Sequence, residues 1–315
     1  MLYRPPQRTL PIALLSAAGF LSSAGARVVD SLLDPIAHDF AIGVPATAWI
    51  LAAFTIPYGL LQLVLGPLAD RVGKTRVLFW ALCAYAFATM GCALAVTFGQ
   101  LTLMRALAGA ASAGLIPVCL AYLGDITTYE CRQVTLSRFL TGVVFAQVLA
   151  GPIGGLFGQF VSWRGVFVLL AAGACALAVR VAIGQSRLAP PPLSSTAPRR
   201  AYRALLRGRS VLFLLLTAFD GMVFIGTAPF VGPFLHERFG VPYLQAGLVL
   251  ACFGVGTMLY VRNAARLVPR LEERGLVVIG GLAGALGLWL AAAAQNWLLC
   301  IPAEILLGLG YFMLH

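Results

Sequence analysis

Long apolar runs separated by short charged stretches repeat along the whole chain. One helix needs about 20 mostly apolar residues to cross the hydrocarbon core of a bilayer. Ten such runs occur, near residues 10–34, 45–68, 76–97, 100–123, 134–160, 164–184, 211–235, 243–262, 275–294 and 297–314. Runs of this length become helices because each backbone N–H and C=O must then be bonded inside its own segment. The pattern predicts an all-α, polytopic membrane protein with about ten transmembrane helices. The first run spans about 24 residues, longer than the apolar part of a cleavable signal, and reads as a span. Pro35, Pro45, Pro152, Pro242 and Pro302 fall at the ends of runs or inside them.

Composition agrees with this reading. The chain is 60% apolar and 10% charged, with mean hydropathy +0.92, whereas a soluble domain is roughly a quarter charged. A net charge of +11 could point to nucleic acid. The cations, however, sit in short stretches between apolar runs, with no basic stripe and no interleaved aromatics, so no nucleic-acid partner is expected. Eighteen of the 22 cations fall on the amino-terminal side of the spans, and only Arg164 and Arg238 on the other. That bias predicts a cytoplasmic amino terminus. Arg27 and Arg105 lie within spans.

The longest polar stretch, 185–210, contains Pro190-Pro191-Pro192 and five Arg between 199 and 209. It reads as a cytoplasmic linker with a basic surface segment. It divides the chain into a six-helix bundle, 1–184, and a four-helix bundle, 211–315.

The seven cysteines form no C-x-x-C pair and no set with histidine at ligand spacing. They read as small apolar residues, six in spans and Cys131 in a loop, so no metal or cofactor is expected. No H-E-x-x-H, G-x-S-x-G or G-x-x-x-x-G-K-[ST] pattern occurs, which argues against an enzyme or an ATP-driven pump.

An ionisable residue inside a span costs at least ~2.5–3.5 kcal/mol on insertion scales, so such residues are functional candidates by default. They are Asp30 and Asp34 with Arg27 at i, i+3 and i+7 on one helical face, Arg105, Asp220 near the midplane of its span, and Glu304.

Three motifs then carry a resemblance. Gly66-Pro67-Leu68-Ala69-Asp70-Arg71-Val72-Gly73-Lys74-Thr75-Arg76-Val77-Leu78 resembles the motif G-x-L-a-D-r-x-G-r-k-x-x-l between helices 2 and 3 of the major facilitator superfamily. Leu101, Arg105 and Gly109 are similar to its second motif, with Ala108 at the usual Gln position. Gly151-Pro152-Ile153-Gly154-Gly155 is similar to the Gly-Pro motif of proton-coupled drug antiporters, with Gln147 where that motif has a leading Gly. Gly151 and Gly155 would also suit close helix packing.

The resemblance implies a facilitator-type bundle whose second half is two helices short. Asp70 would then lack its partner at the end of helix 11. It implies a secondary transporter working by alternating access, coupled to protons and exporting a small amphipathic molecule. A monomer in the bacterial inner membrane, without cofactor, is expected. Gly66, Asp70, Arg71, Gly73, Lys74 and Arg76 would form the conformational motif. Helices 1, 4, 7 and 10 would line the cavity, so Arg105 is expected to face Asp30 or Asp34 there, with Asp220 and Glu304 as further coupling groups. Two alternatives are an inactive fragment or non-transporting membrane protein, and a ten-helix drug/metabolite-type transporter divided five plus five near residue 160.

Overall fold

The computed structural model describes residues 10–185 and 209–314. Among these, ten helical segments are long and apolar enough to cross a membrane: Ile12–Ser31, Val44–Val72, Lys74–Ala93, Phe98–Ile126, Cys131–Phe160, Trp163–Gly184, Leu214–Phe239, Tyr243–Ala264, Arg274–Ala292 and Trp297–Leu314. They are called the first to tenth spans below. Every end falls within four residues of the boundary read from the sequence. The expected linker, 185–210, lies outside the described residues except at its margins.

Two of the helix breaks fall just before a proline, at Pro35 and Pro117, whereas Pro57, Pro67 and Pro152 lie inside continuous helices. The first span is α-helical over Ile12–Arg27 and 3-10 helical over Val28–Ser31, and an α-helix resumes over Leu33–Asp39. Pro35 lacks an N–H and its ring crowds the carbonyl four residues back, at Ser31, which favours a break there. This corrects the expectation of one helical face carrying three charges. Arg27 ends one helix, Asp30 lies in the 3-10 segment, and Asp34 sits in the next helix, beyond the span. Pro117 acts in the same way on the fourth span, which divides into Phe98–Ser112 and Leu115–Ile126. The second helix restarts with the Val118 N–H on the Gly114 carbonyl at 3.1 Å. At the other end of this span Thr97 and Gln100 form a reciprocal capping box, which satisfies two amide donors that the first turn leaves open.

Several stretches expected as loops are helical. Ala48–Val72 and Lys74–Ala93 meet at the single residue Gly73. The charged stretch after the eighth span lies within one helical segment, Tyr243–Ala292, interrupted only at Glu272 (φ 54°, ψ 176°). Cys131 lies on the helix Tyr129–Phe160 rather than in a loop. In each case polar residues continue a helix past the apolar run, because its intrahelical bonds do not depend on the bilayer.

The chain packs as two compact units. The first is drawn from Met1–Ala26, Phe40–Val143 and Arg164–Ala197, the second from Arg27–Asp39, Val144–Trp163 and Pro198–His315. The first unit has a core around Leu15, Leu78, Leu82, Leu115, Cys119 and Phe139, all fully or nearly fully buried. The second has two smaller cores, one around Leu235 and Val249 and one around Phe224 and Phe253. Large apolar side chains such as Phe87, Phe219 and Met222 point outward. A bilayer makes that arrangement inexpensive, since lipid tails are as apolar as the side chains and packing rather than water drives helix association.

Candidate transport site

The joint at Gly73 is built by its own backbone. Its φ of 107° and ψ of 127° lie where only glycine is unstrained. Its N–H closes the helix behind it on the Ala69 carbonyl at 3.0 Å, and its carbonyl opens the next on the Val77 N–H at 3.1 Å. Lys74 then stands one turn past Asp70, with Nζ 3.4 Å from Asp70 Oδ1 and 2.5 Å from Asp125 Oδ2. Nζ also donates to the Ala121 carbonyl at 3.4 Å. The only lysine therefore ties the joint to the end of the fourth span. Arg71 and Arg76 are exposed, and Gly66 faces open space. Asp125 was not singled out in the sequence. Its position after Gly124 at the end of an apolar run was the available signal.

Arg105 is 2% exposed. Within the first unit its Nη1 donates to the Gly25 carbonyl at 2.9 Å and its Nε to the Ile50 carbonyl at 3.4 Å. Its guanidinium lies 4.2 Å from the centre of the Phe54 ring. Gly25 is in the last turn of its helix, where carbonyls can lack intrahelical partners, and Arg105 bonds one of them. Such charge-assisted bonds contribute about 1.5–3 kcal/mol each. Nearby, the Tyr85 hydroxyl donates to the Leu21 carbonyl at 3.2 Å, and Ser22 and Ser112 share a 2.8 Å bond. Asp30 and Asp34, the expected partners of Arg105, belong to the second unit.

In that unit Asp30 is 3% exposed and pairs with Arg27 at 3.3 Å. The Arg27 guanidinium lies 5.5 Å from the centre of the Phe253 ring. Glu304 is 1% exposed, its Oε2 makes no hydrogen bond among the described residues, and it is within electrostatic reach of Arg27 and Asp30. Asp220 is partly buried and within electrostatic reach of Tyr311. Asp34 is half-buried outside the span, and that burial raises its carboxyl pKa above the ordinary value. The nearby His236 lowers it and Glu237 raises it further.

The Gly-Pro motif forms a close helix crossing. A Cβ on Gly151 would stand 2.6 Å from the Gly247 carbonyl oxygen, and one on Gly155 would overlap the Tyr243 carbonyl. Gly247 meets the Gly151 backbone reciprocally. Ser31 Oγ donates to the Gly151 carbonyl at 3.0 Å, and a Cβ on Gly154 would meet that same Oγ. Gln159 accepts from the Leu244 N–H at 3.1 Å. Pro152 lies inside the helix Tyr129–Phe160. Gly247, Ser31 and Gln159 escaped the sequence reading. Only the run of small residues at 247, 254 and 256 hinted at the eighth-span half of this contact.

The family model described as Major Facilitator Superfamily matches residues 15–315. An uncharacterized MFS-type transporter, YceJ, of Bacillus subtilis is 25% identical over 282 residues, covering 87% of this chain and 72% of the relative. A chloramphenicol resistance protein of Streptomyces lividans is 26% identical, covering 87% and 70%. Two fungal MFS-type transporters are longer, and the chain spans 56% and 60% of them. Among solved structures, a bacterial homologue of the human lysosomal transporter Spinster, in an inward-facing and unoccupied conformation, superposes with TM-score 0.76. The identity is 21%, and the match covers 99% of this chain and 75% of that one. These matches set aside the five-plus-five architecture. The chain belongs to the Major Facilitator Superfamily of membrane transporters and has its all-α helical-bundle fold.

Proposed function

We propose that this protein is a proton-coupled exporter of a small amphipathic molecule, working by alternating access. The observation that carries the reading is the burial of Asp30, Arg105 and Glu304 to 3%, 2% and 1% exposure inside apolar spans. Charges held there at such cost are kept for pairing, protonation or a ligand. Asp30, Asp34, Arg105, Asp220 and Glu304 take the coupling roles. A carboxyl that alternates between an open, wet environment and a closed one changes its proton affinity, and that change is what links proton movement to substrate movement.

The joint at Gly66, Asp70, Arg71, Gly73, Lys74 and Arg76 sets the angle between the second and third spans. Gly151, Pro152, Gly154 and Gly155 form the contact on which helices slide. The name of the Streptomyces relative and the Gly-Pro motif both favour export. The charge bias favours a cytoplasmic amino terminus, in a bacterial inner membrane, with residues 1–184 and 211–315 as the two bundles of a monomer and 185–210 as their linker.

The test is proton flux in proteoliposomes under an imposed pH gradient, with amphipathic compounds added as candidate substrates. Substrate-dependent proton movement is expected, and Asp220→Asn, Glu304→Gln and Arg105→Ala should each abolish it. Substrate movement without protons, unchanged in all three variants, would overturn the coupling.

A further inference from the structure

Above the joint at Gly73, the second, third and fourth spans enclose a groove of about 290 Å³ within the first unit. Its floor is made of small side chains, Ala84, Ala110 and Ala111, and its walls of Leu68, Val72 and Trp80. Trp80 is 67% exposed, and Leu68 and Val72 are also exposed, so the groove opens sideways rather than toward the core. Every residue lining it is apolar or aromatic, and nothing inside it could orient a polar ligand. The polar groups stand at its mouth. Arg71 follows Leu68 by three residues and Arg76 precedes Trp80 by four, which places each cation on the same side of its helix as a wall residue.

Both arginines are exposed and make no hydrogen bond or ion pair among the described residues. Asp70 and Asp125, two acidic groups at this end, are both turned to Lys74. An apolar slot parallel to the helices with two uncommitted guanidinium groups at its end selects an occupant with a long apolar tail and an anionic head. Guanidinium groups bind phosphate oxygens in bidentate fashion, and the end of a span is where a headgroup lies.

We propose that this groove binds an anionic glycerophospholipid of the bilayer, one acyl chain in the slot and its phosphate between Arg71 and Arg76. Occupancy would wedge the second and third spans at the angle set by Gly73.

The test is native mass spectrometry of the purified full chain titrated with phosphatidylglycerol or, separately, phosphatidylcholine. One phosphatidylglycerol should be retained in preference to phosphatidylcholine, and raised salt should erase that preference. Arg71→Gln with Arg76→Gln should lose the preference, and Arg71→Lys with Arg76→Lys should keep most of it. Ala84→Trp fills the slot with the arginines intact and should lose the bound lipid as well, so the test survives if the glutamine variant does not fold. Equal retention of both lipids, or retention unchanged in Ala84→Trp, would overturn the proposal. So would efficient cross-linking between copies through Ala84→Cys without displacement of lipid, which would make the groove a contact between two chains.

Discussion

At Gly73 the backbone angles, φ 107° and ψ 127°, leave no room for a side chain without strain. Gly73→Ala should lower stability by about 1–3 kcal/mol, the usual cost of forcing a residue into a sparsely populated region. The thermal midpoint in detergent is the readout, and an unchanged value would show that the joint can relax. Asp34 gives a pH signature. Its pKa is raised by burial, so the folded state holds the proton more tightly than the unfolded chain does. Its contribution therefore favours the fold at low pH and is lost as pH rises from the ordinary carboxylate value through the folded one. Asp34→Asn should raise the melting temperature at about pH 8 and leave it unchanged at about pH 4. A gain of equal size at both would point to packing instead. At this scale the sequence exposed the charges but not their partners. Arg105 and Lys74 were legible as unusual residues, yet the carbonyls of Gly25 and Ile50 and the carboxylate of Asp125 are 80, 55 and 51 residues away, and no local pattern records such distances.

Helices carry the clearest sequence signal and the clearest failures. Span positions were legible because bilayer thickness dictates the length of each apolar run. The breaks after Arg27 and Ser112 were not, although Pro35 and Pro117 were in plain view. Proline inside an apolar run can kink a helix or end it, and which occurs depends on neighbours that supply bonds to the freed backbone. The same dependence separates the glycines. A Cβ at Gly155 would overlap the Tyr243 carbonyl, whereas one at Gly59 would meet nothing within 4 Å. Gly155→Ala should therefore destabilise by about 1–3 kcal/mol through overpacking. Gly59→Ala should gain about 0.5–1 kcal/mol from helix propensity. Chemical or thermal unfolding of the two variants side by side checks this, and similar effects in both would remove the close-crossing account of the Gly-Pro motif.

For the whole molecule, the distribution of cations is the property that no local contact creates. Eighteen cations on one side against two on the other predict topology through the insertion machinery rather than through folded-state packing. In a background without native cysteines, a membrane-impermeant maleimide added to intact cells should label Arg238→Cys and leave Arg266→Cys untouched. The reverse pattern would invert the protein and, with it, the direction of export proposed above. Fold class was legible at this scale because composition alone forces helices. The membership of the two packed units was not, since the first and fifth spans each contribute to both and neither division coincides with a change in composition.

The one-residue joint also bears on how the gene can vary. Because nothing but Gly73 separates two helices, the chain there has no slack. A residue inserted after it would rotate every side chain of the third span by about 100° relative to the second. Lys74 would swing away from Asp125, and Ala84, the third span's part of the groove floor, would turn outward. Length as well as identity is constrained at this position. A scan of single-alanine insertions along the chain should find surface expression collapsing at Gly73 even where substitutions two residues away pass unnoticed.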